Sequence, residues 1–136
     1  MFSLSVVTPE KVHYELEAKS LIVPGSEGYL GVLAHHAPLI TVLKPGRLEF
    51  VDSDDKMHLL SVSVGFLEVS DNKATILADA VEEADSIDID RAQKAYDRAQ
   101  DRVTKAFEKG TDISLERARK SLQRALNRIN IYKEIN

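Results

Sequence analysis

The chain is predicted to be a β + α protein, an N-terminal antiparallel β-sandwich over residues 1–84 followed by a C-terminal antiparallel two-helix hairpin over residues 85–136. Three observations predict this. Through the first part, apolar and polar residues alternate in short β-branched segments, the two-residue period of half-buried strands. After Ala84 the period changes to about 3.6, the helical repeat. The charge also reverses there: residues 1–84 hold 6 Lys and Arg against 13 Asp and Glu, net −7, and residues 85–136 hold 12 against 9, net +3. Opposite signs on two segments point to two parts with different partners.

In order, the strand segments are "FSLSVVT", "SLIVP", "LITVL", "RLEFV", "HLLSVSV", "FLEVS" and "KATILA". Between them, "VTPEK", "PGSEG", "KPG", "DSDDK" and "SDNK" supply Pro, Gly, Asn and Asp where the chain reverses. Short strands at this spacing form an antiparallel sandwich or barrel. Alternation places Leu4, Val6, Ile22, Leu48, Phe50, Leu60, Val62, Leu67, Val69, Ile76 and Ala78 inside.

In the second part Ala92, Ala95, Tyr96, Ala99, Val103, Ala106 and Phe107 follow steps of three and four, which predicts a helix from Asp88 to Lys109. Gly110 stands where a helix stops, and Asp112 or Ser114 can cap a second helix. That helix has the stripe Leu115, Ala118, Leu122, Ala125, Leu126, Ile129 and Tyr132. Alanines let the helices approach closely but bury little area, at ~25 cal/mol per Å², so the hairpin is expected to be loosely held. On the opposite faces run two basic stripes: Arg91, Lys94, Arg98, Arg102, Lys105 and Lys109, then Arg117, Lys120, Arg124 and Arg128. Such stripes suit an acidic surface, a nucleotide or water, and Asp90 with Lys94 and Asp101 with Lys105 have the four-residue spacing of surface ion pairs.

Composition narrows the function classes. With 43% hydrophobic and 29% charged residues, the chain resembles ordinary folded domains, not disordered segments. No apolar run approaches the ~20 residues of a spanning helix. "MFSLSVVTPEKV" lacks the basic start and long apolar core of a secretory signal. The absence of cysteine excludes disulfide scaffolds, thiolate zinc sites and cysteine nucleophiles. The basic stripes carry few aromatics and the overall charge is negative, so nucleic acid is not the expected partner.

One stretch, "GSEGYLGVLAHHAPLI" at residues 25–40, invites a chemical reading. It is not a phosphate loop, because strand-like "APLITVL" follows and GxxxxGK is missing. On an extended strand His35 and His36 would point to opposite faces, and His13 and His58 add no ligand spacing, so no metal site is expected. No GxSxG elbow occurs, and aspartates cluster at turns such as "DSDD". The glycines are therefore read as serving turns, with one histidine hydrogen-bonded in the core or at an interface.

The ordered string resembles the epsilon subunit of F-type ATP synthase, called delta in mitochondria, along its whole length. "GSEGYLGVLAHHAPLITVLKPG" is similar to the family's GxLGxL segment, then His-Ala-Pro-Leu, then Leu-Lys-Pro-Gly. "VGFLEVSDNKATILADAVEEADSIDIDRA" resembles the following signature and "RALNRI" the second helix. His36 occupies the family's histidine position. His35 replaces what is often a small or turn-forming residue, so the doubling is read as incidental, and Val64 stands where a glycine is common.

The resemblance implies a subunit without catalytic residues, metal or required cofactor. Its sandwich would bind the gamma subunit and sit on the c-ring, with Gly31, His36 and Pro38 as contacts. Its hairpin would fold down or extend toward the alpha and beta subunits, with Arg117 and Lys120 in contact, and in the extended form resist ATP hydrolysis. Some bacterial members bind ATP through Ile-Asp-x-x-Arg-Ala, matched by Ile87, Asp88, Arg91 and Ala92; Glu82, Arg98, Arg124 and Arg128 match the accompanying polar positions. For Asp88 the residues alone equally allow a helix N-cap, and for the arginines a solvated face. The implied location is peripheral, on the cytoplasmic face of a bacterial inner membrane or on a thylakoid membrane. A stand-alone adaptor for another acidic protein is the alternative.

Overall fold

The computed structural model describes residues 1–109 and 112–135, with the side chains of residue 109, residues 112–114 and residues 134–135 left undescribed. It divides into two compact units, Met1–Glu83 and Ala84–Asn136. The first contains β1 (Phe2–Val7), β2 (Val12–Gly25), β3 (Gly28–Leu33), β4 (Leu39–Leu43), β5 (Gly46–Asp52), β6 (Met57–Val62), β7 (Gly65–Ser70), β8 (Lys73–Ala78) and β9 (Val81–Glu83). The second contains a 3-10 turn (Ala84–Ser86), α1 (Ile89–Lys109) and α2 (Asp112–Ile135).

The sandwich is organised by β2. Residues Val12–Ala18 of β2 pair antiparallel with β1, and residues Ser20–Gly25 pair with β3. On its other edge β2 meets β5, and the register slips between Ala18 and Ser20. The extra residue there is Lys19, the signature of a β-bulge, which bends the strand and lets one chain segment serve two layers. The pairing path runs β1-β8-β7-β4-β2-β5-β6-β9. Since β1 also pairs β2, strands β1, β8, β7, β4 and β2 close on themselves. One pair departs from the antiparallel expectation: β1 and β8 run parallel.

One core lies between the layers. Phe2, Leu4 and Val6 enter from β1, Leu67 and Val69 from β7, Ala74 and Ile76 from β8, and Leu21, Val23, Leu48, Phe50, Leu60 and Val62 from the opposite layer. Of the residues expected inside, Ile22 is the exception. It is half-buried, because the bulge at Lys19 sets the phase of β2 so that Leu21 and Val23 face inward. Tyr14 packs edge-on to Phe50 at 5.1 Å, and His58 stacks on Phe50 at 4.5 Å.

Turn chemistry explains the reversals. Asp71 (φ 50) and Asn72 (φ 58) form the two-residue link between β7 and β8, a type I′ geometry that needs positive φ twice. The stretch at 25–40, expected to be a loop leading into a strand, instead folds back as the β2–β3 hairpin through Ser26 and Glu27, with Gly28 at φ 132. At Gly46 a Cβ would stand 2.5 Å from the Pro24 Cβ, so the "KPG" glycine permits β5 to pass against β2.

In the hairpin, Asp88 precedes α1 and its Oδ1 accepts the Arg91 N–H at 3.1 Å, an N-cap. The expected Gly110 stop lies outside the described residues, as do the Asp112 and Ser114 capping side chains; α2 already begins at Asp112. Residues whose numbers add to about 221 stand level in a hairpin whose helices run to Lys109 and from Asp112. Ala92 is then level with Ile129, Ala99 with Leu122, Ala106 with Leu115, Val103 with Ala118, and Tyr96 with Ala125. Each alanine of this set is buried. Two expectations fail: Phe107 is 73% exposed and Leu126 is 43% exposed, each one position, or 100°, past a buried alanine. Ile131, outside the predicted stripe, is buried.

The β5–β6 turn is held by a charge. Asp52 Oδ1 accepts N–H bonds from Asp54 (2.9 Å) and Lys56 (3.0 Å), while His58 Nε2 donates to Oδ2 at 2.9 Å. The His58 bond first, then the Lys56 N–H, hold the Asp52 carboxyl below its ordinary 3.8, against the opposing effect of burial. A depressed carboxylate stabilises the fold above its unfolded value, and the contribution is lost as pH falls through the folded value. Urea midpoints of the native chain and Asp52→Asn are therefore expected to differ at pH 6 and to converge as pH drops below 3.8. A gap that stays constant with pH would show that the carboxylate charge is not what holds the turn.

Candidate functional site

Two surfaces carry the residues singled out by the sequence, one on each unit. On the sandwich, cross-strand partners share a face, and Val42 pairs with Phe66, Phe66 with Leu77, and Leu77 with Val7. Val42, Phe66 and Leu77 are all exposed, as is Ile40, two residues before Val42 on the same face. An apolar row thus crosses β4, β7 and β8 on the outside of the sandwich, where an antiparallel sheet ordinarily presents polar residues to water. Large contiguous apolar surface is a property that interaction sites share. Sequence reading overlooked it, although the signal was present: in "LITVL", "FLEVS" and "KATILA" the outward positions are Ile40, Val42, Phe66 and Leu77, not uniformly polar residues.

The three sandwich residues proposed as contacts lie on β3 and the connection that follows it. Gly31 is exposed on β3, with nothing within 4 Å of where its Cβ would be, between exposed Tyr29 and Leu33. His36 is half-buried and its Nδ1 lies 2.7 Å from the Ala37 carbonyl; Pro38 is exposed. His35 occupies a left-handed backbone position, φ 62. Such a position favours turn-forming residues. His13 and His58 bond Thr8 and Asp52 respectively. Among the described residues no three His, Cys, Asp or Glu side chains stand together in a metal-holding group.

The second set occupies the hairpin. Ile87 and Ala92 are buried, so of the four named positions of the Ile-Asp-x-x-Arg-Ala string Asp88 and Arg91 face outward. Arg98 and Arg124 are exposed. Arg124 Nη2 donates to Ser121 Oγ at 3.0 Å. Arg128 is half-buried. Glu82 lies on β9, paired with Ser61, and belongs to the sandwich unit. Arg117 and Lys120 are exposed, with Lys120 3.4 Å from Glu116. Lys105 pairs with Asp101 at 3.0 Å as expected, whereas Asp90 and Lys94 form no such pair. Surface pairs of this kind add little stability.

A β-sandwich with an apolar outer row, followed by an arginine-bearing helical hairpin, defines the class of two-part protein to which this chain belongs. Residues 1–84 match the family described as ATP synthase, delta/epsilon chain, β-sandwich domain, and residues 85–133 match its long α-helix domain. The chain belongs to the ATP synthase delta/epsilon chain family.

Among curated relatives, the ATP synthase epsilon chain of Lacticaseibacillus casei is 41% identical over 130 residues, covering 94% of this chain and 91% of that one. The epsilon chain of Protochlamydia amoebophila is 43% identical over 103 residues, 76% of this chain and 70% of the relative. In a structure of Euglena gracilis mitochondrial ATP synthase (OSCP, F1 and c-ring), one chain shares the fold at TM-score 0.76 and 21% identity, covering 91% of this chain and 76% of that chain.

The Asp88 cap separates two roles. Removing a capping oxygen costs about 1 kcal/mol, so Asp88→Ala is expected to lower hairpin stability by that amount, while Asp88→Asn stays within a few tenths. Helix content followed by circular dichroism through a thermal ramp would check both.

Proposed function

We propose that this chain is a non-catalytic subunit of the central stalk of a proton- or sodium-translocating F-type ATP synthase. The observation that carries the reading is the match of both units, in order, to a family whose members are called ATP synthase epsilon chains. In this reading the sandwich binds the gamma subunit and rests on the c-ring, passing torque by contact alone. The apolar row through Val42, Phe66 and Leu77, with the neighbouring Gly31, His36 and Pro38 region, supports a docking role for this unit. The protein then works at the periphery of a membrane, on the cytoplasmic face of a bacterial inner membrane or on a thylakoid. No described helix is long and apolar enough to cross a membrane.

The hairpin is proposed to regulate ATP hydrolysis. Its net charge of +3 and exposed Arg117 and Lys120 suit an acidic segment of the alpha and beta subunits. Its alanine-lined seam suits an element that leaves one docking position for another at low cost. ATP is the proposed regulatory ligand, with Arg91, Arg98, Arg124 and Arg128 meeting phosphates and Asp88 accepting from the adenine amino group or ribose. Ile87 and Ala92, both buried, would shape the site from below.

Hydrolysis by an alpha, beta and gamma head lacking this subunit tests the reading. The full chain and a version ending at Ala84 should both bind the head, and only the full chain should slow it. Binding without inhibition by either would leave a coupling subunit whose hairpin serves assembly, and failure of both to bind would favour the stand-alone adaptor. For the ligand, calorimetry with ATP is expected to saturate below millimolar concentration and to weaken about tenfold or more in Arg98→Ala, the loss of a charge-assisted bond. Absence of heat up to millimolar ATP would remove ATP from the mechanism.

A further inference from the structure

The connection between β3 and β4 presents His36 and Pro38, yet a side chain 37 residues from His35 in sequence holds it in place. The His35 backbone is in the left-handed region at φ 62, a conformation that a side chain with a Cβ adopts at some cost. Its N–H donates to Asn72 Oδ1 at 2.7 Å. The same amide donates through Nδ2 to the Met1 carbonyl at 2.8 Å, and the Asn72 carbonyl accepts the Ser3 N–H at 3.1 Å. One residue therefore joins the start of β1, the β7–β8 turn and the histidine connection.

The turn does not itself require this amide. A type I′ turn needs positive φ at its second position, which glycine supplies as well as asparagine. The side-chain bonds of Asn72 meet a separate demand, the placement of the connection.

We propose that Asn72 is a positioning residue for docking: its side chain fixes residues 34–38 in one geometry before the partner arrives. This rests on the reading that the face bearing His36 and Pro38 meets the stalk. A connection ordered beforehand loses less conformational freedom on binding, so the tether raises affinity without touching the partner.

The full chain with Asn72→Gly keeps the left-handed turn and loses the tether; Asn72→Asp keeps an acceptor for the His35 N–H and loses the donor to Met1. Hydrogen exchange at the His35 amide and affinity for the alpha, beta and gamma head are measured for both, with the far-ultraviolet spectrum reporting the fold. In Asn72→Gly, exchange at His35 is expected to rise, and affinity to fall, by about five- to tenfold, the net worth of one hydrogen bond. Asn72→Asp is expected to lose less than Asn72→Gly in both, since it retains the acceptor for the His35 N–H while its second oxygen faces the Met1 carbonyl. Faster exchange in Asn72→Gly with unchanged affinity would overturn the role, as would equal losses in the two variants. If the native chain itself fails to bind the head, the docking reading falls and this role with it; a failure confined to the variants leaves the docking reading standing.

Discussion

The continuity of β2 is the constraint on which the sandwich depends. Fourteen residues from Val12 to Gly25 form one strand, and its edges are shared among β1, β3, β4 and β5. The bulge at Lys19 is what makes this possible. Without the extra residue, Leu21 and Val23 would fall on the outer face, and the layer containing Leu48, Phe50 and Leu60 would lose its partners in the core. Lys19 is not idle in this position, since its Nζ lies 2.6 Å from Asp55 Oδ1 in the β5–β6 turn. The bulge and the Asp52 network thus sit side by side at one end of the second layer.

How much of the fold could be read from the residues follows from the same strand. Where alternation was uninterrupted, as in β1, β5, β7 and β8, the inward aliphatic residues were legible one by one, while buried Phe2 and Ala74 on the same faces were not singled out. At Ile22 the reading was out of phase, because a bulge has no composition of its own and is visible only in the register. The first half of β2, "VHYELEAKS", was missed although Val12, Tyr14, Leu16 and Ala18 alternate with His13, Glu15, Glu17 and Lys19, and Tyr14, Leu16 and Ala18 point toward the core. β3 was hidden by glycines that read as loop residues, and β9, three residues long, is shorter than any pattern can register.

Legibility of the site differs between the two units. The arginines and Asp88 announce themselves by charge and spacing, and the cap at Asp88 is a local matter that sequence can propose. That Ile87 and Ala92 are buried is also consistent with their apolar character. The apolar row on β4, β7 and β8 depends on cross-strand register, which joins residues 42, 66 and 77 from separate parts of the chain. Phe107 and Leu126 were misplaced for a related reason: a stripe drawn with steps of three and four is wider than the contact line between two helices lined by alanine.

The seam of the hairpin has a consequence for how its sequence can drift. At Ala92, Ala99, Ala106, Ala118 and Ala125 every replacement other than glycine enlarges the side chain, and each is buried. An added group there must push the helices apart, at a cost of about 1–3 kcal/mol, whereas glycine loosens the helix itself by about 1 kcal/mol. Variation is thereby penalised in both directions at five positions and tolerated on the outer faces between them. The hairpin can change its charges far more freely than it can change the spacing of its helices.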